Sequence, residues 1–274
     1  MTLLSETKLI LNKNKISLIP KRGQNFLINQ EILNKIIEAS NLKSSDIILE
    51  VGPGLGILTK ELAKKVKKVI AVEIDKKLVS VLKNELKKFK NVEIIQEDIL
   101  QFSIFNFQFS NYKIVANLPY NITSRVIKNF LENENSPKEM ILMVQKEVAE
   151  RITARQGKMS ILGVACQFFA DCEIVLLVDK NNFFPIPKVD SAIIKLKMKK
   201  EKGKTNNDKF FKIVKAGFSR KRKKLKSNLL KTLKIDKIKI DNVFEKIGLK
   251  ENTRAQELSV QDWKSLTILL NNCV

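Results

Sequence analysis

From about residue 30 to residue 178 the chain alternates between segments whose apolar residues recur at helical spacing and short apolar runs, and few architectures accept that pattern. "EILNKIIEASNL" is helical in period, "DIILEVG" is a buried strand ending in glycine, "ILTKELAKKV" is helical again, and "KVIAVEID" is a second strand. The alternation continues through "KLVSVLKNELKKF", a helix, "VEIIQEDI" and "YKIVANLP", both strands, "SRVIKNFLEN", a helix, and "EMILMVQKEVAERI", a strand running into a helix. Parallel neighbours need a crossover, usually helical, so apolar strands separated by helices predict a mostly parallel sheet covered on both faces. The expected class is α/β.

Near residues 172–198 the texture changes. "CEIVLLVD" and "VDSAIIKLKMK" are strand-like runs joined by a Phe- and Pro-rich connection, as in an antiparallel edge pair. "KKEKGKTNND" is a polar linker, and beyond it "KFFKIVKAGF", "KKLKSNLLKTL", "DNVFEKIGL" and "SVQDWKSLTILL" read as short helices. The expected organisation is an N-terminal extension over 1–20, a main domain over 21–200 and a small helical domain over 201–274.

At 274 residues and 44% hydrophobic content the chain can bury a full core. No apolar run approaches the roughly 20 residues of a membrane span, and Glu6 and scattered lysines interrupt the place of a secretory signal, so a soluble, cytoplasmic protein is expected. Cys166, Cys172 and Cys273 are odd in number and lack paired spacing, which predicts reduced thiols with a packing role. The net charge of +22 points to a polyanionic partner, although Lys far outnumbers Arg, as it would if surface positions had simply drifted to Lys. The absence of histidine excludes Ser-His-Asp and Cys-His catalysis and histidine-ligated metals, and no metal is expected.

"EVGPGLG" places Gly52, Gly54 and Gly56 after a strand and before a helix, where backbone approaches a ligand with no Cβ in the way. A nicotinamide fingerprint would need a small residue at position 57, which is Ile57. The spacing is G-x-G-x-G, with Glu50 two residues ahead. Glu73 ends the next strand, where a carboxylate accepts from ribose hydroxyls, and Asp98 ends the third, where it can accept from an adenine's exocyclic amine. Three strand ends in register favour S-adenosyl-L-methionine, with S-adenosyl-L-homocysteine as product; the bland alternative is that Glu73 and Asp98 are solvated carboxylates in turns.

These residues resemble the class I S-adenosylmethionine-dependent methyltransferases, whose fold is Rossmann-like. "KRGQNFLINQEIL" further resembles the N-terminal motif of the rRNA adenine N6-dimethyltransferase family. That resemblance implies that Asn25 and Leu27 line the cofactor's methionine end and that Gly52, Glu73, Asp98 and Asn117 complete its pocket. It covers the chain from residue 15 onward and leaves "MTLLSETKLILNKN" unmatched.

"NLPY" closes a strand with an amide, a proline and an aromatic. Adenine N6 is a poor nucleophile because its lone pair is conjugated into the ring, so a transferase must restore density to it and aim it at the sulfonium methyl. The Asn117 side-chain oxygen and the Leu118 carbonyl can each accept one N6 hydrogen, Pro119 fixes the backbone, and Tyr120 offers a ring for stacking. The competing reading is a plain turn, which Asn and Pro both favour. Cytosine C5 chemistry needs a cysteine nucleophile, usually after proline, whereas Ala165 and Asp171 precede the internal cysteines.

"NNFFPIPKVDS" resembles the family's F-x-P-x-P-K-V-x-S motif, which implies that Phe183 forms the second face of an aromatic clamp on a flipped-out base; adjacent phenylalanines are otherwise usually core, and Phe184 is the weaker candidate. "SRKRKKLKSNLL" gathers Arg220, Lys221, Arg222, Lys223, Lys224 and Lys226 into an expected phosphate-binding patch, a solvated helix face being the alternative. The family divides into enzymes that dimethylate two adjacent adenines near the 3′ end of 16S rRNA in the immature small subunit and macrolide-resistance enzymes that dimethylate one adenine of 23S rRNA. "NLPY" with the C-terminal "RKxLxxNL" pattern favours the first. A monomer is expected. A catalytically inactive nucleic-acid-binding relative stays open, as does a DNA adenine N6-methylase, although those usually carry an acidic residue in place of Asn117.

Overall fold

The computed structural model describes residues 2–16, 24–102, 111–199, 207–220 and 222–270. In chain order its elements are α1 (Leu3–Lys13), β1 (Phe26–Leu27), α2 (Gln30–Ala39), β2 (Ile47–Val51), α3 (Ile57–Ala63), β3 (Lys68–Glu73), α4 (Lys76–Glu85), β4 (Val92–Gln96), β5 (Tyr112–Asn117), α5 (Thr123–Glu132), β6 (Glu139–Gln145), α6 (Lys146–Ile152), α7 (Ile161–Phe169), β7 (Ala170–Val178), β8 (Phe183–Phe184), β9 (Ser191–Met198), α8 (Asn207–Gly217), α9 (Leu225–Leu233), α10 (Lys237–Ile247) and α11 (Val260–Leu270). They form two compact units, one of Met1–Ala149 with Asp171–Met198 and one of Glu150–Ala170 with Lys199–Val274.

In the first unit a seven-stranded sheet runs in the order β4-β3-β2-β5-β6-β9-β7. The strands from β4 through β6 are parallel, and β9 joins β6 antiparallel. The expected α/β class with a mostly parallel sheet is what forms. Each central strand is apolar along its length because helices cover both faces: Ile48 and Val69 are fully buried, as are Val115 and Ile141. The helices begin where short polar side chains can take the first free N–H groups. Asn29 accepts from Glu31 and Ile32 at the head of α2, and Asp75 accepts from Lys77 at the head of α4. From α2, Leu33 and Ile36 enter a core shared with Leu58 and Leu62 of α3.

The N-terminal extension, which no motif covers, folds as α1. Its Ile10 and Leu11 pack with Phe26, Leu55, Leu78 and Val81, and Glu6 shares Lys60 with Glu85 at 2.9 and 3.0 Å. The boundary expected at residue 20 therefore does not mark a separate piece. The expected cut near residue 200 also misses α7, which belongs with the C-terminal helices because its Phe168 and Phe169 pack with Phe210 and Phe211 of α8.

The helical unit is organised around Trp263 of α11, which is fully buried and stacks on Phe218 at 5.6 Å between centroids. Its indole lies so close to α8 that a Cβ on Gly217 would sit 2.4 Å from the ring. Asn228 of α9, buried, donates to the carbonyls of Gly217 at 2.6 Å and Arg220 at 3.1 Å and so ties the end of α8 to α9. We expect Gly217→Ala to destabilise this unit by about 1–3 kcal/mol, the range for forcing a methyl into a packed site. The chain's one tryptophan reports the loss directly as a lower midpoint in thermal unfolding followed by its fluorescence.

Candidate active site

In sheet order the chain moves from β2 outward to β3 and β4 on one side and to β5 and β6 on the other. Such a reversal leaves a crevice beyond the carboxyl ends of the two strands that part, here β2 and β5. A cavity of ≈ 320 Å³ lies there, walled by the segment around β1, by the glycine loop after β2, by the ends of β3 and β4, and by Asn117 to Ile122 after β5.

Asn25, Leu27, Gly52, Gly54, Glu73, Asp98, Asn117, Leu118, Pro119 and Tyr120 all line it, so the two motifs and the strand ends read from sequence converge on one space. Gly56 is not among the lining residues; it caps α3 with φ 81°. Gly52 and Gly54 also have positive φ, 64° and 61°, and a Cβ on Gly54 would sit 3.0 Å from the Phe26 ring. The loop therefore needs glycine for backbone conformation and at Gly54 for a close neighbour as well.

Glu73 orders this loop. One carboxylate oxygen accepts from the Gly54 N–H at 3.2 Å and the other from the Asp75 N–H at 2.9 Å. Burial nevertheless raises its pKa, outweighing those two backbone donors. Asp98 is half-buried and accepts from the Leu100 N–H at 2.9 Å.

The strand end after β5 is held from several sides. The Asn117 side-chain nitrogen donates to the Asn25 carbonyl at 3.1 Å, so its oxygen is the end left to accept from a ligand. The Leu118 N–H donates to the Met143 carbonyl at 3.1 Å, and the Pro119 carbonyl accepts from the Thr123 hydroxyl at 3.1 Å. Tyr120 is half-buried, with its hydroxyl 2.6 Å from that of Ser191.

Phe183 corrects an expectation. It has no exposed surface, pairs opposite Leu27 in the small β1–β8 sheet and belongs to the core with Leu33 and Ile193, so its ring is not presented to a base. Phe184, opposite Phe26, is half-buried and packs beside α1 with the Lys8 ammonium 5.4 Å from its centroid. Tyr120 and Phe26 are the aromatic rings lining the cavity among the described residues.

The basic cluster is also more differentiated than its sequence. Lys221 lies outside the described residues. Arg220, Arg222 and Lys223 are exposed in the turn before α9. Lys224 pairs with Glu251 at 3.3 Å, and Lys226, largely covered, pairs with Asp241, so Lys226 spends its charge within the protein.

Sequence reading missed the roles of Glu50, Ile74 and Arg125 as cavity residues. An acid within an otherwise apolar parallel strand was the available signal for Glu50. It is 2% exposed, and its Oε2 has no hydrogen-bond partner. Burial pushes its pKa up to about 8, against the Thr59 hydroxyl, which favours the charged form, and with some help from the nearby Glu73 charge. An orphaned acidic oxygen next to a second buried acid fits a ligand that brings positive charge, and S-adenosylmethionine carries a sulfonium and an ammonium. Exposed Ile74 adds an apolar wall beside Glu73, suited to the face of a base.

The comparisons agree with this geometry. A family model described as ribosomal RNA adenine dimethylase matches residues 15–272. A relative from Fusobacterium nucleatum named ribosomal RNA small subunit methyltransferase A is 44% identical, over 90% of this chain and 95% of its own. Among solved structures, a dimethyladenosine transferase from Plasmodium falciparum superposes with a TM-score of 0.80 at 32% identity, covering 90% of this chain and 98% of that one. The 23S rRNA methyltransferase ErmE gives 0.74 at 28%, covering 90% and 100%.

Ionisation of Glu50 gives a test in the ligand-free protein. Its folded pKa lies above the unfolded value of 4.5, so the stability it contributes is complete below that pH and is lost as pH rises toward about 8. Glu50→Gln removes the titration. Relative to wild type the variant should gain stability between pH 5 and pH 8, with a limiting slope of about 1.4 kcal/mol per pH unit. Parallel thermal midpoints for the two proteins across this range would show that Glu50 is ionised throughout. The chain belongs to the ribosomal RNA adenine dimethylase family.

Proposed function

We propose that the protein transfers methyl groups from S-adenosyl-L-methionine to N6 of two adjacent adenines in the 3′-terminal hairpin loop of 16S rRNA, giving N6,N6-dimethyladenosines in the immature small ribosomal subunit. The observation that carries this is the Asn117 amide, donating to Asn25 through nitrogen and leaving an oxygen acceptor at the mouth of a cavity walled by acids. On this reading the protein acts on the ribosome in the cytoplasm and works as a monomer.

The cofactor would be held by Asn25 and Leu27 at one end, by the glycine loop and Glu50 beside its charged groups, and by Glu73, Ile74 and Asp98 around its nucleoside. When bound, it supplies an electrophilic methyl on a good leaving group. The protein's part is to make N6 nucleophilic and aim it. The Asn117 oxygen and the Leu118 carbonyl accept the two N6 hydrogens, which draws the nitrogen lone pair out of conjugation and points it along the transfer axis. Pro119 stiffens the backbone between the acceptors and Tyr120, and the Tyr120 ring stacks on the extruded base. The proton lost after transfer leaves to water. Arg220, Arg222 and Lys223 supply phosphate contacts.

The small-subunit substrate is favoured because relatives carrying that name reach 44% identity, against 28% for the 23S-acting neighbour. The test uses ribosomal subunits from cells lacking both types of rRNA dimethylase, with labelled methyl traced and the modified positions mapped by reverse-transcription stops. The expected result is nearly four methyl groups per small subunit, two on each of two adjacent adenines. Label confined to large subunits would assign the 23S reaction instead, and cofactor binding without transfer to either would mark a binding protein. Asn117→Ala should abolish transfer while weakening S-adenosylhomocysteine binding by no more than about tenfold, about 1.4 kcal/mol; retained turnover would remove Asn117 from the mechanism.

A further inference from the structure

We infer that Ser191 is a positioning residue that holds the Tyr120 ring upright for stacking, and that this tether matters most for the second methyl transfer to each adenine. The inference rests on the adenine N6 reading of the site. Ser191 opens β9 opposite Gln145 of β6, has no exposed surface and places its hydroxyl 2.6 Å from that of Tyr120. It is also the terminal serine of "FFPIPKVDS", a motif whose Phe183 is buried in the core and whose two phenylalanines are not among the residues lining the cavity.

Tyr120 is thereby fixed at both ends. Its backbone follows Pro119, whose carbonyl is engaged by Thr123 and Ile122, and its hydroxyl is fixed by a strand that pairs with β6. Each hydroxyl can donate to the other, so the pair is satisfied whichever supplies the hydrogen. A ring anchored this way cannot swing about χ1 without breaking that part-buried hydrogen bond and leaving the fully buried Ser191 hydroxyl without it. A serine in a core strand with no such partner would simply be a small residue that packs.

The chemistry says when the anchor counts. Unmodified adenine brings two N6 hydrogens to two acceptors, Asn117 and Leu118. After the first transfer one hydrogen remains, so one acceptor loses its partner and the amine loses half of its directional restraint. The stacked ring must then do more of the orientation. Loosening Tyr120 should slow the second step more than the first.

The experiment is single-turnover methylation of small subunits lacking these modifications, followed by nucleoside digestion and quantitation of mono- and dimethyladenosine. Wild type, Ser191→Ala, Tyr120→Phe and the double variant are compared, and S-adenosylhomocysteine affinity is measured by calorimetry. Ser191→Ala and Tyr120→Phe should each raise the mono-to-dimethyl ratio by about five- to tenfold, the range that one neutral hydrogen bond supplies. Affinity for S-adenosylhomocysteine should stay within about twofold, since neither hydroxyl touches the cofactor loop. The double variant should be no worse than Tyr120→Phe, because the bond is already gone. Additive effects, or a Ser191→Ala variant with the wild-type ratio, would overturn the inference while leaving the dimethylation reading intact. A wild-type protein that leaves the small subunit unmethylated would sink that reading and the inference with it.

Discussion

The parallel pairing of β2 with β5 is the constraint on which the rest of this site depends. The register sets Ile47 against Tyr112, Ile48 against Lys113 and Leu49 against Ile114. The chain leaves the tops of these neighbours in opposite directions, so Gly52 and Pro119 end side by side. A Cβ on Gly52 would lie 3.5 Å from the Pro119 ring. The glycine loop and the acceptor loop are thus two edges of one crevice and were never independent features. Residues that would hold the methyl donor and residues that would hold its acceptor are brought together by ladder geometry between two strands, before any side chain contributes.

Charge then separates the crevice from ordinary parallel-sheet tops. Glu50 and Glu73 are both buried there, and burial raises the pKa of each. Two close buried acids are unfavourable in the empty protein: the Gly54 and Asp75 N–H groups ease the charge on Glu73 and the Thr59 hydroxyl eases that on Glu50, and burial outweighs both. A cationic ligand would relieve that arrangement. If the proposed cofactor binds here, the site would give up some stability of the empty protein for affinity toward positive charge, a pattern expected of functional rather than structural acids.

Much of this was legible in the sequence because it depends on local pattern. The apolar strands, the glycines at their ends and the Asn-Leu-Pro-Tyr turn are each decided within a few residues. The misreadings all concern features decided at a distance. Phe183 and Phe184 are adjacent in a two-residue strand, and side chains alternate across a strand, so one must enter the core and the other must not. The residues alone do not say which; the pairing of Phe183 with Leu27 does. Lys226 reads like its basic neighbours until α10 brings Asp241 to it. "SILGVACQFF" reads as nothing in particular until Phe168 meets Phe210, and α1 has no motif because its task is to pack Ile10 and Leu11.

One identity in the site follows from geometry more strictly than any pattern could require. Position 117 donates at one end, to the Asn25 carbonyl at 3.1 Å, and in the proposed reaction would accept at the other, from the substrate amine. Aspartate has the length but no donor, so it would set a carboxylate oxygen against the Asn25 carbonyl and add one more acid to a wall that already holds Glu50, Glu73, Asp75, Glu97 and Asp98. Serine has a donor and an acceptor on one atom and cannot span the two partners. Asparagine alone among side chains of this length presents both functions in one rigid plane. The same bond ties the "GQNFL" segment to the "NLPY" turn, so the motif expected at the cofactor's methionine end also sets which way the amide faces the substrate. Under the proposed reaction a single side chain would orient both the donor and the acceptor pocket, and that would require an amide, rather than the more basic carboxylate, at the end of β5.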